Sequence, residues 1–217
     1  MREAPMMKAV YIEEQGGVEV LKYGKLPEPT ISVDEIKVRV RACSINRLDL
    51  FTRAGVRGTR LDLKQPHILG GDSAGDVVSI GSEVTEVKVG DRVVLNPRSV
   101  CGKGKYCLDL KDELCTNTEM LGSTTNGSYA EYVKVKSSSA IKIPASLSYE
   151  EAASLPTVFL PGWSILIRRA ALKPTETVLV LSASSGVGTA AIQIAKRLVG
   201  AKVISTTSTD EKARLAL

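Results

Sequence analysis

The pattern of apolar and polar positions changes character near residue 150. Before that point, short segments alternate or cluster β-branched residues between Gly, Pro and Asp breaks; they read EIKVRVRAC, GDVVSIG, DRVVL and SYAEYVKV. This pattern predicts a compact, mostly antiparallel β domain over residues 1–150.

A second pattern occupies residues 151–217. A helical stretch with prolines inside it is followed by an apolar strand, a glycine turn, an amphipathic helix, a second strand and the opening of another helix. The βαβα order predicts a parallel sheet. Gly200 stands where the C-terminal cap of the amphipathic helix belongs. One apolar stripe of this helix is predicted to lie on the sheet: Val187, Ala190, Ala191, Ile194, Ala195 and Leu198.

Composition narrows the function classes. The 217 residues are 43% hydrophobic, which is ample for a packed core. The net charge is +5, but Lys and Arg are spread among carboxylates, so no nucleic-acid partner is predicted. Neither a signal peptide nor an apolar run of about 18 residues is evident, which predicts a cytoplasmic protein without a membrane partner. Four cysteines in a reducing compartment indicate metal binding or free thiols more than disulfides.

The turn SASSGVG is the first candidate binding site. A strand that leads through Gly186 and Gly188 into a helix lets backbone N–H groups approach a pyrophosphate. The dinucleotide fingerprint G-x-G-x-x-G has Ala183 and Ser185 at its first two glycine positions here, and a tight βα turn without a ligand remains an alternative. The residues predicted to contact the cofactor in this turn are Ser184, Ser185, Gly186, Val187 and Gly188.

The end of the second strand favours NADPH over NADH. NAD-selective sites place Asp or Glu there to bind the ribose 2′-hydroxyl. This chain has Thr207 and Ser208, with Lys212 following, and hydroxyls with an ammonium would accommodate a 2′-phosphate. The alternative is a polar strand end with a solvated lysine.

Several segments, taken in order, resemble the medium-chain dehydrogenase/reductase superfamily, which includes zinc alcohol dehydrogenases and quinone oxidoreductases. They are GGVEVLKYGKLPEP, ACSINRLDLFTRAG, PHILGGDSAGDVVSIGSEVTEVKVGDRVV, GSYAEYVKV, AASLP and SSGVGTAAIQIAK. The resemblance implies an N-terminal GroES-like β domain, residues 1–150, followed by the first, incomplete half of a Rossmann parallel sheet, residues 151–217. It also implies an active site in the cleft between them.

The same resemblance bears on catalytic zinc. Asn46, Gly71 and Thr157 stand where the alcohol dehydrogenases have zinc ligands, and an amide, a glycine and a hydroxyl are poor zinc donors. The zinc-independent quinone and enoyl reductases share the N-x-x-D pattern found at Asn46 and Asp49, which implies that the Asn46 amide donates near the substrate carbonyl while Thr157 lines the cleft. A loop-capping amide is the alternative for Asn46. Asp49 and the one histidine, His67, are interpreted as structural.

A cysteine lobe at about residues 97–116 resembles the family's structural zinc site, C-x2-C-x2-C-x7-C. Cys101, Cys107 and Cys115 occupy three of its positions and Gly104 the fourth. Three readings stay open: zinc completed by Asp109, Asp112 or water, an eroded site without metal, or a disulfide at Cys101. Cys43 is interpreted as a buried small side chain.

The sequence therefore indicates an NADPH-dependent reductase of a small quinone, enone or enoyl substrate, without catalytic zinc. The alternatives are a zinc-family alcohol dehydrogenase and a non-catalytic binding fragment. The resemblance leads one to expect further Rossmann strands beyond residue 217, so the chain is interpreted as truncated and its full activity as doubtful. Self-association or a completing chain is expected at the exposed edge of the sheet.

Overall fold

The computed structural model describes residues 5–109 and 111–216. The chain divides into two compact units, Met1–Ser154 and Leu155–Leu217. The boundary predicted at residue 150 falls inside the short helix Tyr149–Ala153, which belongs to the first unit. Among the described residues, no helix is long and apolar enough to cross a lipid bilayer.

The first unit consists mainly of short antiparallel strands, and the four strand segments predicted from the sequence all form strands. The strand bounds are β1 Met6–Ile12, β2 Lys22–Pro27, β3 Glu35–Cys43, β4 His67–Ile68, β5 Ser73–Ile80, β6 Arg92–Leu95, β7 Arg98–Ser99, β8 Glu119–Met120, β9 Tyr132–Lys136 and β10 Ala140–Lys142. β3 and β5 lie in the interior of a five-stranded sheet ordered β10-β6-β5-β3-β9, while β2-β1-β4 form a second sheet and β7-β8 a small ribbon.

The main core lies on one face of the five-stranded sheet. Alternation along β3 turns Ile36 and Val38 fully inward, and the antiparallel register places Val38 opposite Val77 on β5 and Val133 on β9. Burying each aliphatic side chain of this size contributes about 1.5–3 kcal/mol of transfer free energy. The other buried members of this cluster are Val84, Val87, Val93, Leu95, Leu121 and Val135.

Helices and helical turns connect the strands of the first unit. α1 (Arg47–Ala54) follows β3, α2 (Lys105–Leu108) lies in the cysteine lobe, and α3 (Tyr149–Ala153) packs on the sheet. α3 begins with a capping box, in which Ser148 accepts the Glu151 backbone N–H and the Glu151 carboxylate accepts that of Ser148. Short 3₁₀ turns occupy Val18–Val20, Asp112–Leu114 and Ser137–Ser139.

The second unit has the predicted βαβα order. The bounds are α4 Pro156–Trp163, β11 Thr177–Val180, α5 Gly186–Gln193, β12 Lys202–Ser205 and α6 Asp210–Ala216. β11 and β12 pair in parallel, in a register that sets Val178 beside Val203, and α5 is the crossover between them. α4 and α5 each continue into a wider π-helical segment, at Ser164–Arg169 and Ile194–Val199.

The apolar stripe of α5 is buried only in its middle. Ala190, Ala191, Ile194 and Ala195 are buried as predicted, but Val187 is 38% exposed and Leu198 is 62% exposed. The lengths of the elements explain this difference in exposure. α5 has 8 residues and its π segment 6, which together span about 21 Å, whereas a strand of 4 residues spans about 13 Å. The two ends of the helix therefore extend beyond the strands. Gly200 ends the helix as predicted, at a positive φ of 82° that glycine adopts without a steric cost.

Candidate functional site

The first candidate site is built where β3 runs into α1. Asn46 has extended backbone angles and caps the helix, and Asp49 Oδ2 accepts the Asn46 backbone N–H at 2.7 Å. A polar N-cap with an acidic residue three positions later satisfies donors that the first helical turn leaves unpaired. The N-x-x-D spacing therefore has a local structural cause at the start of α1.

The side chain of Asn46 is bound within the protein. Its Nδ2 donates to Asp72 Oδ2 at 2.9 Å and to Ser44 Oγ at 3.2 Å, and the Ser44 hydroxyl donates to Asp72 Oδ2 at 3.2 Å. Asp72 is fully buried, so these donors stabilise its carboxylate. Both amide hydrogens of Asn46 therefore have acceptors within the protein, and a role of this amide near a substrate carbonyl stays a prediction.

Asp49 holds the neighbouring loop, as predicted. Its Oδ1 accepts the Gly71 backbone N–H at 3.2 Å, and its Oδ2 accepts the Tyr129 hydroxyl at 3.1 Å. Burial, reinforced by the Asp49 charge, raises the pKa of Tyr129, so this phenol stays protonated and donating. Sequence reasoning missed Tyr129 and Asp72, since only the strand topology brings them to Asn46 and Asp49. It also missed Ser44, which lies two residues before Asn46.

The surroundings of Asn46 and Gly71 bear on the absence of catalytic zinc, which stays a prediction. Gly71 contributes no side chain, and the carboxylates beside Asn46 are occupied by N–H and O–H donors. Within the described part of the chain, the one group of three or more His, Cys, Asp or Glu side chains close enough to share an ion is the cysteine lobe. Thr157 lies half-buried near the start of α4 in the second unit, and its role beside Asn46 stays a prediction.

The second candidate site is the turn between β11 and α5. Ser185 caps α5 by accepting the Gly188 backbone N–H at 3.0 Å, and the Thr189 hydroxyl donates to the Ala183 carbonyl at 3.1 Å. A Cβ on Gly188 would lie 2.2 Å from the Ser182 carbonyl oxygen, so the surviving glycine of the fingerprint is required by the turn itself. Ser184 is exposed and Val187 partly so, which leaves this end of the helix open to a ligand.

The residues predicted to contact a 2′-phosphate follow the end of β12 and continue into α6. The Thr206 hydroxyl accepts the Ser182 backbone N–H at 3.2 Å and ties this strand end to the glycine turn. Thr207, Ser208 and Lys212 are exposed, and Lys212 Nζ donates to Ser208 Oγ at 3.3 Å. Two carboxylates that sequence reasoning left out stand next to them in the first turn of α6, those of Asp210 and Glu211.

The cysteine lobe brings three thiols together. Cys101 Sγ lies 3.7 Å from Cys107 Sγ and 3.6 Å from Cys115 Sγ, and all three sulfurs lie within 4.8 Å of one another. All three cysteines are free thiols, so the structure does not contain the disulfide at Cys101 that was one of the alternatives. Among the described residues, neither Asp109 nor Asp112 joins the group, which removes the carboxylates expected to complete it.

The thiols of the lobe have different proton affinities. Backbone N–H groups of Lys103 and Gly104 donate to Cys101 and lower its pKa to about 7. Burial, followed by the hydrogen bond with Cys115, raises the pKa of Cys107 to about 11. Cys101 is therefore the member that most readily forms the thiolate that binds metals.

Cys43 and His67 are the two remaining residues that were interpreted from the sequence. Cys43 is exposed, not buried as predicted, since it is the last residue of β3 on a stretch where only alternate residues are covered. His67 is buried on β4, its Nε2 is 3.2 Å from the Gly122 carbonyl oxygen, and burial lowers its pKa. These contacts agree with a structural role for His67.

Comparison with known proteins identifies the family. The alcohol dehydrogenase GroES-like domain matches residues 32–145. The chain belongs to this family, within the medium-chain dehydrogenase/reductase superfamily. Its second unit is a partial Rossmann-like sheet, so the resemblance and the fold class inferred from the sequence are confirmed.

Individual members of the superfamily match almost the whole chain. An alcohol dehydrogenase of Geobacillus stearothermophilus is 34% identical over 97% of this chain and 60% of its own length. Human quinone oxidoreductase is 30% identical over 98% of this chain and 56% of its own length. A crystal structure of an NAD-dependent alcohol dehydrogenase superposes with a TM-score of 0.91 at 41% identity, over 97% of this chain and 60% of that one. The chain thus spans about 60% of the length of these members of the superfamily.

Proposed function

We propose that this chain provides the GroES-like domain and part of the nucleotide-binding domain of a reductase that acts without a catalytic metal. The reductase would transfer hydride from NADPH to a carbon atom of a quinone, enone or enoyl substrate. The observation that carries the proposal is at Asn46, whose side-chain amide donates to the buried Asp72 carboxylate. The zinc-dependent alcohol dehydrogenases, which this chain resembles, have a zinc ligand at the position of Asn46.

The chemistry without metal suits a conjugated acceptor. Simple ketones and alcohols need a strong electrophile at oxygen, which zinc supplies as a Lewis acid. In an enone or quinone, hydride is added to carbon, and hydrogen-bond donors are sufficient to stabilise the charge that develops on oxygen.

The residues of the chain would divide the work between the two units. The start of α5, capped by Ser185, would receive the pyrophosphate, and Lys212 with Ser208 would receive the 2′-phosphate. When bound, NADPH supplies the hydride. Asn46 enters the proposal as a positioning residue that holds Ser44 and Asp72, and Thr157 as a residue lining the substrate cleft.

A zinc-dependent alcohol dehydrogenase is the second candidate, because alcohol dehydrogenases are among the relatives of the chain. One assay distinguishes the metal-independent reductase from the zinc-dependent alcohol dehydrogenase. The purified chain is given NADPH with a quinone or an enone, and separately NADP⁺ with a series of alcohols, each with and without a zinc chelator. Where NADPH is oxidised, we expect the chelator to leave its rate of oxidation unchanged. Alcohol oxidation that the chelator abolishes would establish the zinc enzyme instead, and cofactor binding without turnover of any substrate would indicate a non-catalytic fragment.

A further inference from the structure

The donor set of the cysteine lobe does not match a structural zinc site. Structural zinc is almost always held by four protein ligands in a tetrahedron. Here Cys101, Cys107 and Cys115, referred to below as the cysteine triad, supply three sulfurs, and no carboxylate or imidazole of the described residues joins them.

The fourth position is occupied by backbone. Gly104 has no side chain to offer, and its N–H donates to Cys101 Sγ at 3.4 Å. A Cβ built on Gly104 would lie 3.4 Å from the same sulfur, an ordinary contact distance. A side chain at this position would therefore reach the triad. The fourth ligand is missing because residue 104 is a glycine, and not because the loop runs too far from the sulfurs.

The spacing of the sulfurs fits a shared ion. Thiolates bound to one ion at about 2.3 Å are held roughly 3.8–4.0 Å apart, whereas a disulfide bond is about 2.0 Å long. The Cys101–Cys115 and Cys101–Cys107 separations of 3.6 and 3.7 Å need to lengthen by only a few tenths of an ångström to bind the ion. The Cys107 and Cys115 sulfurs lie within 4.8 Å of each other, so this pair closes by at most about 1 Å. Cys107 and Cys115 are buried and Cys101 is half-buried, so the ion would enter beside Cys101.

From these contacts we infer that the cysteine triad is a binding site for a soft metal ion that accepts three thiolates, with Cu(I) as the representative. Soft thiolate ligands favour Cu(I), which does not require the fourth ligand that a structural zinc site has. Because Gly104 stands where a structural zinc site has its fourth ligand, the lobe would prefer Cu(I) to Zn(II). The inference uses no step of the proposed reductase, and its test needs no nucleotide or substrate.

The test compares two ions on the reduced chain without oxygen. Cu(I) and Zn(II) are offered separately in competition with chromophoric chelators, and the loaded protein is examined by X-ray absorption. We expect one Cu(I) per chain with three sulfur ligands, and loss of Zn(II) to its chelator. Gly104→Cys should gain retention of Zn(II), Cys101→Ser should lose Cu(I), and the control Cys43→Ser, which lies on β3 outside the lobe, should keep one Cu(I).

Three results would overturn the inference. The first is Zn(II) held by the unaltered chain as firmly as by Gly104→Cys, with a light atom as its fourth ligand. The second is absence of Cu(I) binding by the reduced chain. The third is equal loss of Cu(I) in Cys43→Ser. Should Gly104→Cys fail to fold, the stoichiometry and ligand count of the unaltered chain decide the question alone.

Discussion

At the scale of single residues, the site of the first unit is a hydrogen-bonded network of neutral donors around two buried carboxylates. Asn46 and Ser44 donate to Asp72, while Tyr129 and the Gly71 backbone donate to Asp49. Because buried carboxylates are costly without donors, each donor of this network should matter to stability.

Replacing the Asn46 amide by a carboxylate tests this network. Asn46→Asp removes the amide donor and places a second acid against Asp72, which Asn46 Nδ2 contacts at 2.9 Å. We expect a loss of about 1–3 kcal/mol in the free energy of unfolding at pH 7, measured by urea denaturation. Asn126→Asp is the matched control, since Asn126 Oδ1 is an acceptor for the Ile68 N–H and a carboxylate keeps that bond. Equal stability of the two variants would contradict the account.

His67 should make the stability of the chain depend on pH. Burial lowers its pKa in the folded protein, so below the unfolded value of about 6.5 the unfolded chain binds a proton that the folded chain excludes. Stability is therefore complete above pH 6.5 and falls as the pH decreases from there toward the folded pKa, by at most about 1.4 kcal/mol per pH unit. Urea denaturation between pH 8 and pH 5 measures it. His67→Gln should flatten this slope, whatever it does to the absolute stability, and an unchanged slope would refute the assignment.

At the scale of elements, α5 depends on its first turn. Ser185 caps the helix and Gly188 allows the turn to pass close to the Ser182 carbonyl. The cap and the close approach are separate causes, and each predicts a different substitution effect.

Two substitutions in this turn should destabilise the second unit. Ser185→Ala is expected to cost about 0.5–2 kcal/mol through loss of the cap. Gly188→Ala should cost more, because its Cβ would lie 2.2 Å from a backbone oxygen that a side-chain rotation cannot move. Urea unfolding followed by Trp163 fluorescence reports on this unit, since Trp163 belongs to α4.

Gly162→Ala serves as the control within the same unit. Its Cβ would meet the flexible end of Ile194 at 3.3 Å, and alanine is the better helix former by about 1 kcal/mol. We expect it to be tolerated. A Gly188→Ala variant as stable as Gly162→Ala would show that the turn has room for a side chain.

The sequence predicted the positions of helices and strands more accurately than the exposure of their side chains. Alternation located β3 from Glu35 to Cys43, and the glycine turn located α5, because both signals are local. The exposure of Cys43 and Leu198 was mispredicted, since it depends on which strands lie beside them. The contacts between Asn46 and Asp72 and between Asp49 and Tyr129 join residues far apart in the chain, and no periodicity indicates them.

At the scale of the whole molecule, one face of the two-stranded sheet is uncovered among the described residues. Leu179 and Ile204 are register partners on β11 and β12, and they are 60% and 51% exposed. Neighbouring Leu181 is exposed as well. Association at the exposed edge of this sheet stays a prediction. We propose that the exposed face takes part in the same association of copies of the chain, because exposed apolar patches of adjacent strands favour burial against a partner.

Light scattering across a concentration series tests the association. We expect the mean mass to rise above that of one chain at high micromolar concentration. Leu179→Thr combined with Ile204→Thr should shift the rise to higher concentration, while Ile141→Thr, at an exposed position on β10 of the first unit, should leave it unchanged. A single-chain mass at every concentration would argue against this proposal.

We propose that this chain binds NADPH through the start of α5 and the residues that follow β12. Titration of the chain with NADPH and with NADH, followed by nicotinamide fluorescence, tests it most directly. We predict tighter binding of NADPH, with Lys212→Gln weakening NADPH by about tenfold and leaving NADH unchanged, as expected for loss of one charge-assisted contact. Absence of binding by both nucleotides, or NADH binding as tightly as NADPH with no effect of Lys212→Gln, would contradict the account.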